Sequence, residues 1–539
     1  MPESLPLPSS PAGAGVLVRR TVRGATALRG GRPGRPTPYQ FYGALLWLVM
    51  TLAYWRIPLC CDAGQHAAVV ERLKADLLHP AHTMADLPGE GSPYYGPYAV
   101  AQGALARLTG LSGWEVVKLA GPVHLLVLLT GIGRFVRTLT ARPWAPVLAV
   151  LFMTLLWGTA RILWSGYLGL MSMTTNLGYP SAAAIGLTFW AWAWTSGLAR
   201  ADTPAVRFVG PSGLGGWWGF AAVGVLYGLI LLVHPVTAAS TLVGAAAIVA
   251  ARQRGWRRPV VARWAFGVVV CAAVAVSWPY YDVLALVGDT GMDAMHLRLY
   301  EGMLANSWLA LIGLPALWVR ARRSVRDPLV LMFLPVCLLV AYGWVSGHFT
   351  YARTLWAALV PLQFALAVEL AAPRPWRWGR RVLGGAAAAG VCVGFVTVHA
   401  GAVVPRSVDP VGFTQPTRWP SYDWAARHIG PGEVVITDGY FASHSIAGYG
   451  PNLAAPIWPD PALEEGERRR RAADVRAYLA PGSTRAERAA VVRRYHVRWL
   501  LLTRWHPVPE EAVVVAWSRR TGEVLARVGG EARGRVPTR

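Results

Sequence analysis

Apolar runs long enough to cross a bilayer recur from residue 39 to residue 403, and no other feature restricts the fold so strongly. A helix rises about 1.5 Å per residue, so a hydrocarbon core of about 30 Å takes roughly 20 apolar residues. About eleven runs approach that length: 39–57, 115–133, 143–160, 179–198, 216–233, 236–251, 264–281, 303–319, 328–345, 354–371 and 382–403. A chain that enters lipid this often must satisfy its backbone polar groups within each segment, which leaves a bundle of helices. The composition agrees, with 54% hydrophobic residues and only 15% charged ones. The expectation is a mainly α, multi-pass protein of the cell membrane.

The formal charge of +24 raises the question of a nucleic-acid partner. Such a partner needs basic residues on one face with aromatics between them. Here they stand in short clusters between apolar runs, so the charge is read as topology and no nucleic acid is expected. Arg19, Arg20, Arg23, Arg29, Arg32 and Arg35 place a disordered tail, residues 1–38, in the cytoplasm. Its length, and the full span that follows, argue against a cleaved signal. Five later clusters are expected inside: Arg134, Arg137 and Arg142; Arg200 and Arg207; Arg252 to Arg263; Arg320 to Arg326; Arg374 to Arg381. They are read as falling short of strict alternation through eleven spans, so they support insertion without fixing every span. The runs meeting at His234-Pro235 are expected as two spans or one broken element, and 143–160 as a span or a re-entrant segment. The five cysteines show neither metal-type spacing nor a disulfide framework.

An inward tail makes the first span exit outward, carrying Cys60-Cys61-Asp62-Ala63-Gly64-Gln65-His66 to the far side. Charge at this depth is costly without a use. Asp62 and His66 are four residues apart and share a face of any helix that begins near Cys61. Asp62 is also a good N-cap for that helix, so capping and chemistry both remain open. The outer loop 60–114 is far longer than a connector needs. Gln65 to Leu78 reads as an amphipathic helix lying on the bilayer surface, Tyr98 to Leu108 as a second helix, and the turn region 89–98 between them as a tyrosine-rich platform for a headgroup or sugar ring.

Other polar residues sit at span ends: Asn176 and Tyr179; His234; Tyr280, Tyr281 and Asp282; His348, Tyr351 and Arg353. Each alone reads as an interfacial polar residue before a site residue, and a shared side would unite them. Arg353 suits a phosphate through paired hydrogen bonds. From residue 405 to 539 the apolar runs shorten and charge returns. A helix near 422–428, a Gly-Pro-Gly turn, a strand near 434–438, a helix near 486–495 and strands near 498–503 and 512–517 are the grammar of a small extracytoplasmic α/β domain. Within it Glu464 to Arg471 is read as a solvated helix face, and Asp438, His444 and Trp458 as candidates for binding an acceptor.

An acid after the first span, a long outer loop with amphipathic helices, ten or more spans and an outward C-terminal domain resemble the C-type (GT-C) glycosyltransferase superfamily. That resemblance implies sugar transfer from a polyprenyl-phosphate donor to a cell-envelope glycan acceptor on the outer face. It implies Asp62 as the base; His66 would orient or handle a proton, and Arg353 with His348 would contact the leaving phosphate. His234 and Tyr351 would line the site, and Asp282 or Glu90 would supply a second carboxylate. Many members carry paired acids after the first span, whereas Cys61 and Ala63 flank Asp62 here, so a divalent metal is left open. A transporter or lipid flippase and a non-catalytic membrane scaffold are the alternatives; the first should show inverted repeats, and none is evident.

Overall fold

A computed structural model of the chain describes residues 35–59, 61–201, 216–288, 290–373 and 377–529. All but the end of the expected basic tail lies outside these residues, as do Cys60, Arg207 and Arg374. Every one of the eleven apolar runs is helical over most of its length. Seven helices are long and apolar enough to cross a membrane: Gly113–Leu139, Pro235–Arg252, Arg258–Val276, Met303–Arg323, Pro328–Ser346, Phe349–Leu370 and Trp378–Val403. Pro38–Arg56 and Pro180–Ala201 run beside them, and Ala145–Leu155 and Trp217–Val233 are shorter apolar helices. The protein is therefore a multi-pass helical membrane bundle.

Local chemistry explains the helix ends. Thr37 with Gln40 and Ser112 with Glu115 form reciprocal capping boxes that satisfy first-turn amides. Pro122 within Gly113–Leu139 has no N–H to offer the Lys118 carbonyl one turn back. That carbonyl instead accepts from the Trp55 indole at 3.2 Å, fastening the first helix to the second. At Gly121 the Tyr54 ring lies where a Cβ would stand, so the two helices approach at a glycine. Phe349–Leu370 is the central helix, with 83% of its apolar window buried, whereas Arg258–Val276 buries 17% and leaves most of its surface for lipid.

The arginine clusters meet at one end of the bundle. Arg200 and Arg252 both donate to the Thr138 carbonyl, at 2.5 and 3.0 Å. Followed through the helices that form, the clusters occupy every second connection, which corrects the expected lapse in alternation. The runs around His234 are two helices, since His234 is extended (φ −158°, ψ 90°) and breaks them. The run 143–160 is helical only over Ala145–Leu155. Its continuation is irregular and reaches the opposite end, where Tyr167 donates to the Ala352 carbonyl at 3.0 Å.

At that opposite end sits a five-stranded sheet: β1 (Val434–Thr437), β2 (Asn452–Leu453), β3 (Val497–Leu502), β4 (Ala512–Trp517) and β5 (Val524–Val528). The order is β2-β1-β3-β5-β4, parallel across β2-β1-β3 and antiparallel across β3-β5-β4. The sheet and its helices form the small α/β domain.

The helix Ala63–Ala75 is not spread on the bilayer. Its residues Ala63, Ala67, Ala68, Val70 and Leu73 are fully buried, and Ala68 and Met84 belong to the core of the α/β domain, beside Val435, Leu453 and Leu501. The apolar stripe that reads as membrane-seeking is covered by protein. Arg72 is buried too, donating to the carbonyls of Gly450 at 2.5 Å and Pro451 at 2.8 Å and to Asn452 Oδ1 at 2.6 Å. The expected solvated run near residue 467 is also partly corrected. Arg471 is buried, lies 4.7 Å over the Tyr495 ring and donates to the Ala454 carbonyl at 3.3 Å.

Candidate active site

Cys61 has a left-handed backbone (φ 59°), an uncommon and costly conformation for a residue with a Cβ. It turns the chain out of the first span into Ala63–Ala75. Asp62 takes the N-cap position, yet its carboxylate accepts no bond from the helix amides. Only its backbone carbonyl joins the helix, accepting from the His66 amide at 3.1 Å. The capping role expected as an alternative is thus not exercised, and the carboxylate makes no hydrogen bond to the described residues.

The charge that acts on Asp62 is that of Arg353. Burial pushes its carboxyl up to about 6 from the ordinary 3.8, while the Arg353 charge pulls the other way. His66, one turn on, is held down at about 4, by burial first and by Arg353 second, so its imidazole is neutral near pH 7. Its ring meets Tyr179 edge-on at 4.9 Å between centroids and lies 6.3 Å from Tyr94. By exposed surface both Asp62 and His66 are half-buried.

Arg353 comes from the 3-10 turn at the start of Phe349–Leu370. It donates to Ser165 Oγ at 2.7 Å and lies 3.0 Å from His234 Nε2. Its Nε is buried and makes no hydrogen bond among the described residues. A second polar chain stands behind it. His296 Nδ1 is 2.8 Å from Thr350 Oγ1; the Thr350 amide and hydroxyl both donate to Asp293 Oδ1 at 2.9 Å, and His348 Nδ1 is 3.5 Å from Asp293 Oδ2. His296 is held down at about 3, by burial and then by the Arg353 charge, so it too is neutral.

The structure thus brings Asp62, His66, His234 and Arg353 together. His348 stands on Asp293, a step behind Arg353. Tyr351 packs on Tyr342, with ring centroids 5.6 Å apart. Glu90 and Asp282 are exposed, and Asp282 caps the short turn after it, accepting from the Leu284 amide at 2.8 Å. Neither joins the cluster. The buried carboxylates nearby are Asp293 and Asp460. Asp460, from the α/β domain, accepts from Ser92 Oγ at 2.8 Å, and its charge acts on Tyr94. Of the tyrosine platform, Tyr95 and Tyr98 are spent on carbonyls, those of Ala81 and of Gly178, and Tyr94 alone faces His66. In the α/β domain Asp438 is taken up by Thr503. His444 is buried and meets Trp419 and Trp458 edge-on, with its backbone carbonyl against Gly64.

Among the described residues no three His, Cys, Asp or Glu side chains group as metal ligands. The charge acting on Asp62 is that of a guanidinium and not of a second carboxylate, a donor set that does not fit a hard divalent cation requiring several oxygens.

No family model matches this sequence, and no curated protein matches it. Solved structures do. The arabinofuranosyltransferase AftD from Mycobacteria superposes with a TM-score of 0.56 at 15% identity over 91% of this chain, which spans 40% of AftD. ArnT from Cupriavidus metallidurans bound to undecaprenyl phosphate gives 0.50 at 14% identity, covering 90% of this chain and 97% of ArnT. ArnT in the apo state gives 0.51 at 14% identity, with 91% and 97% covered. The chain is built on the fold of the C-type glycosyltransferases.

Proposed function

We propose that the protein transfers a sugar from a polyprenyl-phosphate donor to an acceptor hydroxyl in the cleft between Asp62 and Arg353. The observation that carries this reading is the unspent Asp62 carboxylate under the charge of Arg353, a half-buried arginine whose buried Nε has no hydrogen-bond partner among the described residues. The undecaprenyl phosphate bound to ArnT, which this chain matches nearly end to end, supports a lipid-linked donor.

In the reaction the acceptor oxygen attacks the anomeric carbon and its proton passes to Asp62. The bond from that carbon to the phosphate oxygen breaks, the electron pair leaves with the lipid phosphate, and Arg353 stabilises the charge that develops there. A carboxyl raised to about 6 is still ionised near neutrality and is a stronger base than an ordinary one. Neutral His66 orients the acceptor. His234, rather than His348, holds Arg353 in place. The site and the α/β domain, residues 405–539, belong to the outer side in this reading, because the arginine-rich end is the cytoplasmic one, and the acceptor is a cell-envelope glycan. Radiolabel moving from a polyprenyl-phosphate sugar into membrane glycan tests it. A flippase or a scaffold yields no incorporation.

A further inference from the structure

The arginine-rich end of the bundle carries a feature that sugar transfer does not use. A cavity of about 310 Å³ opens there, lined among others by Arg200, Arg252, Arg254, Arg320, Arg326 and Asp327, within the range of roughly 300–1,000 Å³ typical of small-molecule sites. Arg320 also borders a second cavity, of about 290 Å³. Charges that only set topology would hang loose in water. Three of these side chains are instead built into the wall: Arg200 and Arg252 converge on the Thr138 carbonyl at 2.5 and 3.0 Å, and Arg320 pairs with Asp327 at 2.5 Å. Arg254 and Arg326 are exposed at the mouth. Arg200, Arg320 and Arg254 repel Arg252, and Asp327 is the one carboxylate that attracts it. Five guanidinium groups around one carboxylate leave a concave site that an anion would relieve, at the level where helix ends meet lipid headgroups.

We infer that this cavity binds the phosphate of an anionic phospholipid from the leaflet it faces. Five helix ends contribute to it, so an occupied site ties Gly113–Leu139, Pro180–Ala201, Pro235–Arg252, Met303–Arg323 and Pro328–Ser346 together. The inference does not depend on the sugar-transfer reading.

The purified full-length chain in detergent is tested by native mass spectrometry with phosphatidylglycerol or phosphatidylcholine. It is expected to retain phosphatidylglycerol at least about tenfold better. The double variant Arg254→Ala/Arg326→Ala removes only exposed side chains, so its unfolding midpoint should hold while the preference disappears; Arg254→Lys/Arg326→Lys should keep most of it. Equal retention of the two lipids, or full preference in the alanine variant, overturns the inference. Inorganic phosphate forms a second arm: displacement of the lipid by phosphate supports a phosphate-recognising cavity, and phosphate bound without any lipid retained overturns the lipid as its source.

Discussion

His234 Nε2 lies 3.0 Å from the Arg353 guanidinium although 119 residues separate them. The other ring nitrogen, Nδ1, caps the following helix, accepting from the Thr237 amide at 3.2 Å and lying 2.8 Å from Thr237 Oγ1. The break at His234 thus positions the arginine whose charge acts on Asp62. His234→Ala should weaken use of the lipid donor, raising its KM roughly tenfold, the effect of about 1.4 kcal/mol of lost positioning. The split of KM against kcat checks this, since loss of a proton-transfer group would lower kcat instead.

Arg353→Lys keeps the charge but loses the planar fork, and it should lower kcat/KM by about 10²-fold. Arg353→Ala should cost more, because it also leaves Asp62 without the charge that acts on it. Kinetics with a soluble acceptor and varied donor measure both.

The pH profile follows from Asp62. A base must be deprotonated, and burial raises its carboxyl to about 6, so kcat/KM should fall as pH drops through about 6 and level off above 7. The stability sign is opposite. Between about 4 and 6 the folded protein holds this proton more tightly than the unfolded chain does, so stability falls as pH rises across that window. Asp62→Asn removes a carboxylate that its surroundings disfavour and should therefore stabilise the fold by about 1–2 kcal/mol. Thermal unfolding at pH 7 reads this directly.

Arg72→Ala strands three buried acceptors at once: the Gly450 and Pro451 carbonyls and Asn452 Oδ1. A loss of about 3–5 kcal/mol is expected at the joint between Ala63–Ala75 and the α/β domain. Gly64→Ala attacks the same joint sterically, since the new Cβ would collide with the His444 backbone. Both variants should loosen the α/β domain before the membrane helices, and limited proteolysis would show cleavage near residue 405 first.

Helices were legible in the sequence because lipid imposes one length and one chemistry on every span, and the arginine clusters mark the connections. Asp62, His66, His234 and Arg353 were legible for a related reason: polar residues at span ends stand out against apolar neighbours. Asp293, His296, Thr350, Ser165 and Asp460 did not stand out. Nothing in the flanking sequence sets them apart, and what gives each its meaning is a partner up to several hundred residues away, as with Asp460 and Ser92, 368 positions apart. Ala63–Ala75 was misjudged for a different reason. An amphipathic pattern says that a face is covered but not by what, and here the α/β domain covers it in place of the bilayer. Asp282 at a span end and Glu90 within the outer loop were picked as a possible second carboxylate, but both stay at the surface.

The central claim is that Asp62 takes the proton of the attacking hydroxyl. Transfer of radiolabelled sugar from a polyprenyl-phosphate donor, compared between the unaltered protein and Asp62→Asn in the same membranes, tests it most directly. The expected result is at least about 10²-fold loss of kcat with little change in donor KM. Undiminished transfer by the folded Asp62→Asn protein would contradict it.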